Sequence, residues 1–250
     1  MPIFDLFKTA FQSRPPEDTR VYAVGDIHGY KERLTALQAL IAEDAAQAPE
    51  SRKVVVYVGD YYDRGPDSAG VIDMLIDRPL EGFDSVFLKG NHEDILLRFL
   101  EGDLETGANW IYYGGNTTLQ SYGIDCEKSW PDYTELVDYQ RALKACFPAR
   151  HRRFLESLAL THVEGDYAFV HAGVRPGRPL AVQDPEDLMW IRDEFHDSDA
   201  DHGHVIVHGH TPVHQVVNRF NRIDIDTGAG FGRELTAVVL AGTKRSFLQV

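Results

Sequence analysis

Five short segments set aspartate, asparagine or histidine beside glycine: Gly25-Asp26-Ile27-His28-Gly29, Gly59-Asp60-Tyr61-Tyr62-Asp63-Arg64-Gly65, Gly90-Asn91-His92-Glu93, His171-Ala172-Gly173 and His208-Gly209-His210-Thr211. Hard oxygen ligands mixed with imidazole suit manganese, iron, zinc or similar divalent ions. Asp26, His28, Asp60, Asn91, His171 and His210 make a ligand set about right for two ions that share a bridging carboxylate and bridging solvent. Asp60 is the natural bridge, because it follows the strand between the other two ligand-bearing turns. Two ions roughly 3.5–4 Å apart bind phosphate oxygens, lower the pKa of water and set up in-line attack. Singly, each segment has a plainer reading. An Asp-x-His is commonly a turn or cap, a buried histidine commonly satisfies one hydrogen bond, and Asn91 could simply cap a helix. That account does not explain all five in this order, each at the end of a strand.

The elements that must carry these residues are legible in the hydrophobic pattern. Val21–Val24, Val54–Val58 and Val86–Leu88 are short apolar runs, each ending at or just before a glycine. Each is followed by apolar residues at helical spacing: Leu34, Leu37, Leu40 and Ile41, then Val71, Ile72, Leu75 and Ile76, then Ile95, Leu96 and Phe99. Alternating βαβ units predict a mainly parallel sheet with crossover helices. In open α/β sheets, sites form at the carboxyl ends of strands, and glycine permits the tight turns they need. From about 101 to 157 the strand signals fade into helices and loops, with a helix predicted around Leu136–Phe147. Beyond 158 hairpins are expected: Leu158–Val163 with Tyr167–Val170, and Thr236–Leu240 with Arg245–Val250, besides a strand at Val205–Val207.

Composition bounds the function. The 250-residue chain carries 25 basic against 39 acidic residues, a formal charge of −14, and no basic run. Affinity for nucleic acid comes chiefly from Lys and Arg on phosphates, so a DNA- or RNA-binding role is disfavoured. No stretch approaches the roughly 20 apolar residues that span a bilayer. Met1–Arg20 lacks the pattern of a secretory signal and reads as a short amphipathic helix packed on its own domain. Cys126 and Cys146 lack zinc-site spacing and lean towards a reducing, cytoplasmic setting. With no repeat or long linker, residues 1–250 read as a single domain, with 1–19 an N-terminal extension and 101–157 a helical and looped region that sets specificity.

The series GDIHG, GDYYDRG, GNHE, HAG and HGHT resembles the metallophosphoesterase fold of the serine/threonine protein phosphatases, especially their bacterial members, over about residues 20–231. The resemblance implies an α/β fold of two mixed β-sheets packed as a sandwich and flanked by helices, with the metal site at strand C-terminal ends. It implies that Asp26, His28 and Asp60 hold one metal, and that Asp60, Asn91, His171 and His210 hold the other, manganese before iron or zinc. His92 would be the general acid, oriented by Asp63, and Arg64 and Asn91 would bind substrate phosphate. A second phosphate-binding arginine is expected, with Arg192 the best match and Arg175 its competitor. The chemistry agrees: histidine titrates near neutrality, and the planar fork of arginine suits phosphate oxygens. There are departures. Tyr62 replaces the usual valine, HAG replaces the eukaryotic HGG, and His208, which could face the same side as His210 and compete as a ligand, is read instead as supporting the ligands from behind. Thr227–Phe231 reads as a tight loop near the site.

The resemblance therefore implies hydrolysis of phosphoserine and phosphothreonine esters, and of phosphotyrosine, by attack of metal-bound hydroxide. Its partners would be a phosphoprotein or a small phosphate ester. The alternative is a hydrolase of dinucleoside polyphosphates such as diadenosine tetraphosphate. The symmetrical enzymes of that type usually carry Gln where this chain has His28. A module that only binds a phosphorylated partner is a third reading, but binding alone needs no general acid. Trp110, Tyr112, Tyr113, Gly114 and Gly115 are candidates for a substrate wall, against the plainer reading of aromatics as core.

Overall fold

The computed structural model describes residues 12–128 and 130–250. Most of the N-terminal segment read as an amphipathic helix, residues 1–11, lies outside the described residues. The three β-branched runs become parallel neighbours: β1 (Thr19–Val24), β2 (Arg52–Tyr57) and β3 (Asp84–Phe87). A C-terminal hairpin, β9 (Thr236–Ala241) and β10 (Lys244–Gln249), adds to the free edge of β1 in antiparallel sense. The sheet is thus mixed, in the order β10-β9-β1-β2-β3. A second five-stranded sheet runs β4 (His162–Glu164), β5 (Tyr167–Phe169), β6 (Val205–His208), β8 (Arg222–Asp224) and β7 (Val217–Asn218).

Alternation along the strands makes the sandwich. Val21, Ala23, Val54 and Val56 face Tyr167, Phe169, Val205, Val207 and Ile223 between the sheets. Their neighbours Tyr22, Val24, Val55 and Tyr57 face the other way. Those pack on α1 (Lys31–Ala46), α2 (Ser68–Asp77) and α3 (Asn91–Glu101), through Leu34, Leu37, Val71, Leu75 and Leu96. Each such side chain, fully buried, contributes about 1.5–3 kcal/mol of transfer free energy. The region 101–157 forms α4 (Leu104–Trp110), α5 (Asn116–Ser121), α6 (Tyr133–Cys146) and α7 (Ala149–Glu156) on the same side. Between α4 and α5, Gly114 takes a left-handed conformation that breaks the helical path. The outer face of the second sheet is covered by α8 (Pro185–Trp190) and α9 (Asp193–His196).

Two sequence expectations shift. The predicted strand Leu158–Val163 shortens to His162–Glu164, because Ala159 bonds instead to the end of β3: its N–H reaches Phe87 O at 3.0 Å, and its carbonyl takes Lys89 N at 2.8 Å. That detour carries the chain from one sheet to the other. Strands β7 and β8 were hidden because only Ile223 of β8 faces the inter-sheet core, while Arg222 and Asp224 point outward. Among the described residues no helix is long and apolar enough to cross a membrane.

Candidate metal centre and its surroundings

The parallel strands of both sheets end at one place, and the turns that follow them are strained. Six non-glycine residues among those described have positive φ, and five are His28, Asp60, Asp63, Arg64 and His210. Such a conformation costs on the order of 1–3 kcal/mol per residue and persists only where the surroundings enforce it. The enforcement is visible. Glu93, in the first turn of α3 and fully buried, accepts the backbone N–H groups of Asp60 (2.9 Å), Tyr61 (2.8 Å) and Gly90 (2.9 Å). One carboxylate therefore ties the turn after β2 to the turn after β3. Two glycines are required by close approach. A Cβ at Gly209 would lie 1.9 Å from Asp26 Oδ1, and one at Gly90 would lie 2.2 Å from Asp60 Oδ1.

All six predicted ligands converge and are buried. One donor atom from each of His28, Asp60 and His92 lies within 4.8 Å of the others, and the same holds for Asp60, His171 and His210. Asp60 is common to both groups, as a bridging carboxylate would be. Asn91 Oδ1 sits 3.0 Å from His171 Nε2 and 2.8 Å from His210 Nδ1. Asp26 Oδ2 accepts the His210 N–H at 3.0 Å, while its Oδ1 and His210 Nε2 have no hydrogen-bond partner.

These atoms fit divalent cations. His171 Nδ1 faces the Val58 carbonyl at 2.9 Å, and a carbonyl only accepts, so Nδ1 carries the proton. The lone pair on Nε2 is then aimed at the Asn91 oxygen, two acceptors face to face. His28 repeats the pattern, its Nδ1 donating to Tyr62 O at 2.8 Å. Burial, above all, keeps both imidazoles neutral, lowering their pKa against the pull of Asp60. The carboxylates complete the picture. Burial raises Asp26 well above the usual range, helped by the charges of Asp226 and Asp60. Asp60 moves the other way: burial works upward, but the imidazoles packed round it, His171 first and then His92, His28 and His210, lower its pKa. A buried cluster short of positive charge, with unpartnered lone pairs, is what a metal relieves.

Beside this cluster the predicted acid and its orienting group are in contact. His92 Nδ1 donates to Asp63 Oδ2 at 2.5 Å. Asp63 is fully buried and takes two further donors, Trp110 Nε1 at 2.8 Å on Oδ2 and Thr118 Oγ1 at 2.6 Å on Oδ1. Burial disfavours the charged form of His92, but Asp60 and the hydrogen bond and charge of Asp63 outweigh it, so its pKa is raised. Cations on Asp60 would cancel part of that pull.

Arg64 reaches back over both histidines, with Nη1 2.6 Å from His28 Nε2 and Nη2 3.2 Å from His92 Nε2. Its backbone N–H bonds Gly114 O at 3.1 Å, and its guanidinium lies 4.8 Å over the Phe231 ring. The loop Thr227–Phe231 is indeed tight, with Gly228 left-handed, and Gly230 passes against His28 and Arg64. The two candidate second arginines differ. Arg175 is bonded to both oxygens of Asp187 and to Glu194. Arg192 is exposed, and among the described residues its side chain is bonded only to Thr211 Oγ1 at 3.2 Å, next to His210. A cleft of about 560 Å³ lined by Arg175, Arg178, Asp187, Trp190, Arg192 and Glu194 opens there, and the Trp190 ring lies 6.1 Å from that of His210.

Some sequence readings change. His208 does not compete with His210. The left-handed turn at His210 (φ 69°) ends the strand alternation, and His208 packs on Phe195 at 5.0 Å instead. Trp110 is core, not substrate wall, yet its indole N–H holds Asp63, a role no local motif announces. Tyr112 and Tyr113 are exposed, with Tyr112 stacked on Trp130 at 4.3 Å. Thr118 and Glu93 were also missed as holders of the site. Only the three-residue offset from Gly90, a capping-box spacing, pointed to Glu93.

Residues 19–239 match the family of calcineurin-like phosphoesterases. The chain is 29% identical over 239 residues to an asymmetrical bis(5'-nucleosyl)-tetraphosphatase, PrpE, of Oceanobacillus iheyensis, covering 87% of each chain. It is 28% identical to a symmetrical bis(5'-nucleosyl)-tetraphosphatase of Nitrosospira multiformis, over 84% of this chain and 68% of that one. Its fold is similar to that of a crystal structure assigned provisionally to a diadenosine tetraphosphatase, with a TM-score of 0.61, 20% identity, and coverage of 94% and 95%.

Proposed function

The chain belongs to the calcineurin-like phosphoesterases, and from that premise we propose that it hydrolyses dinucleoside tetraphosphates, with Asp26, His28, Asp60, Asn91, His171 and His210 as metal ligands. The observation that carries the reading is the likeness along 84–87% of the chain to relatives named as bis(5'-nucleosyl)-tetraphosphatases. The cleft beside His210 supports it, since Arg192 and the half-exposed Trp190 offer a cation and a stacking face beyond the scissile phosphate.

Two divalent ions, manganese in this reading, supply when bound a clamp on phosphate oxygens and a water of lowered pKa. The protein's own groups do the rest. Arg64 and Arg192 take phosphoryl oxygens and stabilise the charge of the transition state. Arg175, already saturated by Asp187 and Glu194, is set aside for that task. Asp63 holds the proton on His92 Nδ1, so that Nε2 faces the departing oxygen. As the water oxygen bonds to phosphorus, giving up a proton to solvent, and the bridging P–O bond breaks, His92 delivers its Nε2 proton to the leaving group and is reprotonated from solvent.

Protein phosphomonoesters rank second, and one observation favours them. The buried His92–Asp63 pair is suited to an alkoxide, which needs an acid more than a departing nucleotide does. The test is kcat/KM with manganese on diadenosine tetraphosphate, a serine phosphopeptide and an activated aryl phosphate, for wild type and His92→Asn. Preference for the dinucleotide supports the proposal, and chromatography of the products distinguishes equal from unequal cleavage. Preference for the phosphopeptide, with nearly all of it lost in His92→Asn, overturns the proposal in favour of the second reading.

A further inference from the structure

On the outer face of the second sheet, under α9, a second group of donors has no task in the reaction. Along β6 and β8 the residues Val207 and Ile223 face the inter-sheet core, so His208 and Asp224 face outward, where His196 at the end of α9 meets them. One ligand atom from each of the three lies within 4.8 Å of the others. His208 and Asp224 are almost completely buried, at 0% and 1% exposure.

The hydrogen bonding of these residues is incomplete. Among the described residues, His196 Nε2, His208 Nε2 and Asp224 Oδ2 are buried and have no hydrogen-bond partner. His208 Nδ1 faces the Gly209 carbonyl at 3.1 Å, which fixes its proton there and leaves Nε2 a bare lone pair. An unpaired buried polar group costs about 1–3 kcal/mol, and with His196 as its Nδ1–H tautomer a cation among these atoms would satisfy all three. The ring of His196 lies 5.3 Å from that of His208, and Phe195 walls the group on one side, 5.7 and 5.0 Å from the two rings. Two guanidinium groups act on these residues, Arg222 on all three and Arg192 on His196. The fork of Arg222 goes to the carbonyls of Ser198 and His196 and to Asn221 Oδ1, its Nε has no hydrogen-bond partner among the described residues, and none of these bonds reaches Asp224.

We propose that His196, His208 and Asp224 form a third metal site, separate from the centre that faces the substrate. Two imidazoles and one carboxylate suit zinc or a similar borderline divalent ion. The site joins β6 and β8 to α9, and α9 begins immediately after Arg192, whose carbonyl accepts the N–H groups of Phe195 and His196 at 2.9 Å. A bound ion would fix the base on which Arg192 stands. The inference does not depend on which phosphate ester the enzyme cleaves.

The experiment is metal stoichiometry on the full chain, by mass spectrometry after loading with zinc and gel filtration, for wild type and His196→Gln. His196 is partly exposed and touches none of the reacting groups, so the variant should keep its fold and the two-metal centre. The expected result is three equivalents in wild type and two in His196→Gln, with a lower melting temperature for the variant in zinc but not in chelator. Cobalt loading gives a second readout, a tetrahedral absorption band from one equivalent that disappears in His196→Gln and in Asp224→Asn. Two equivalents in wild type, or a third that survives both substitutions, overturns the proposal.

Discussion

The strand-end turns and the helical region from α4 to α7 both border the site, and they are built on opposite terms. The turns are buried, strained and cross-tied, with Glu93 collecting amides from two of them and glycines at contacts where no Cβ fits. Among the described residues the helical region holds the site through a few hydrogen bonds: Trp110 and Thr118 on Asp63, Tyr122 on Tyr62, and the Gly114 carbonyl under Arg64. Elsewhere the region exposes aromatic side chains, Tyr112, Tyr113, Trp130 and Tyr133. One region fixes the geometry of the reaction, while the other holds the acid in place and is free to vary what it presents to a substrate.

Removal of metal should break the turns most severely. Chelation is expected to abolish turnover and lower the melting temperature, because an ion present at a hundred times its Kd stabilises the folded state by about 2.7 kcal/mol. Calorimetry with and without chelator checks it. His92→Asn comes next, with a loss in kcat of roughly 10²–10⁴ at unchanged metal content. Trp110→Phe tests the helical region's hold on the acid. Losing a hydrogen bond to a charged group costs about 1.5–3 kcal/mol, hence a fall in kcat of about ten- to a hundredfold, with KM and metal content kept. Equal activity in that variant would sink the idea that the indole positions Asp63. Tyr112→Ala should leave aryl phosphate hydrolysis within about twofold, as a surface change away from the chemistry does. Any effect should appear in KM for the larger substrate.

The smallest effect belongs to a pair distant from both regions. Glu164 on β4 receives two hydrogen bonds from Arg52 on β2, joining the sheets. Burial works to raise the Glu164 pKa, but the Arg52 and His162 contacts lower it below 4.5. A depressed carboxylate adds stability above its unfolded pKa and loses it as the pH falls through the folded one. Arg52→Met should therefore cost about 0.5–1 kcal/mol at neutral pH, Arg52 being well exposed to solvent. Wild type and variant should converge in acid, with activity per folded molecule unchanged.

How much of this could be read in the sequence follows the same division. The gathering of Asp26, His28, Asp60, Asn91, His171 and His210 was legible because each stands next to a glycine, or in the case of His171 two residues from one, at the end of an apolar run, and periodicity found the strands. What escaped depends on contacts across the fold. Trp110 and Thr118 reach Asp63 from 47 and 55 residues away, with no local pattern to mark them. The facing of His208 turned on one left-handed residue, His210, which is not a glycine. Strand β8 was too short and too polar to show.

The Glu93 carboxylate has a consequence for how this chain can change length. Because it bonds Asp60, Tyr61 and Gly90 at once, one residue gained or lost in either turn would pull the other out of place. In a library of single-codon insertions, the segments 58–66 and 88–94 should be two intolerant gaps. The loop between α5 and α6, most of whose described residues are exposed, should accept new codons freely, and lineages of this enzyme would have diverged in size there.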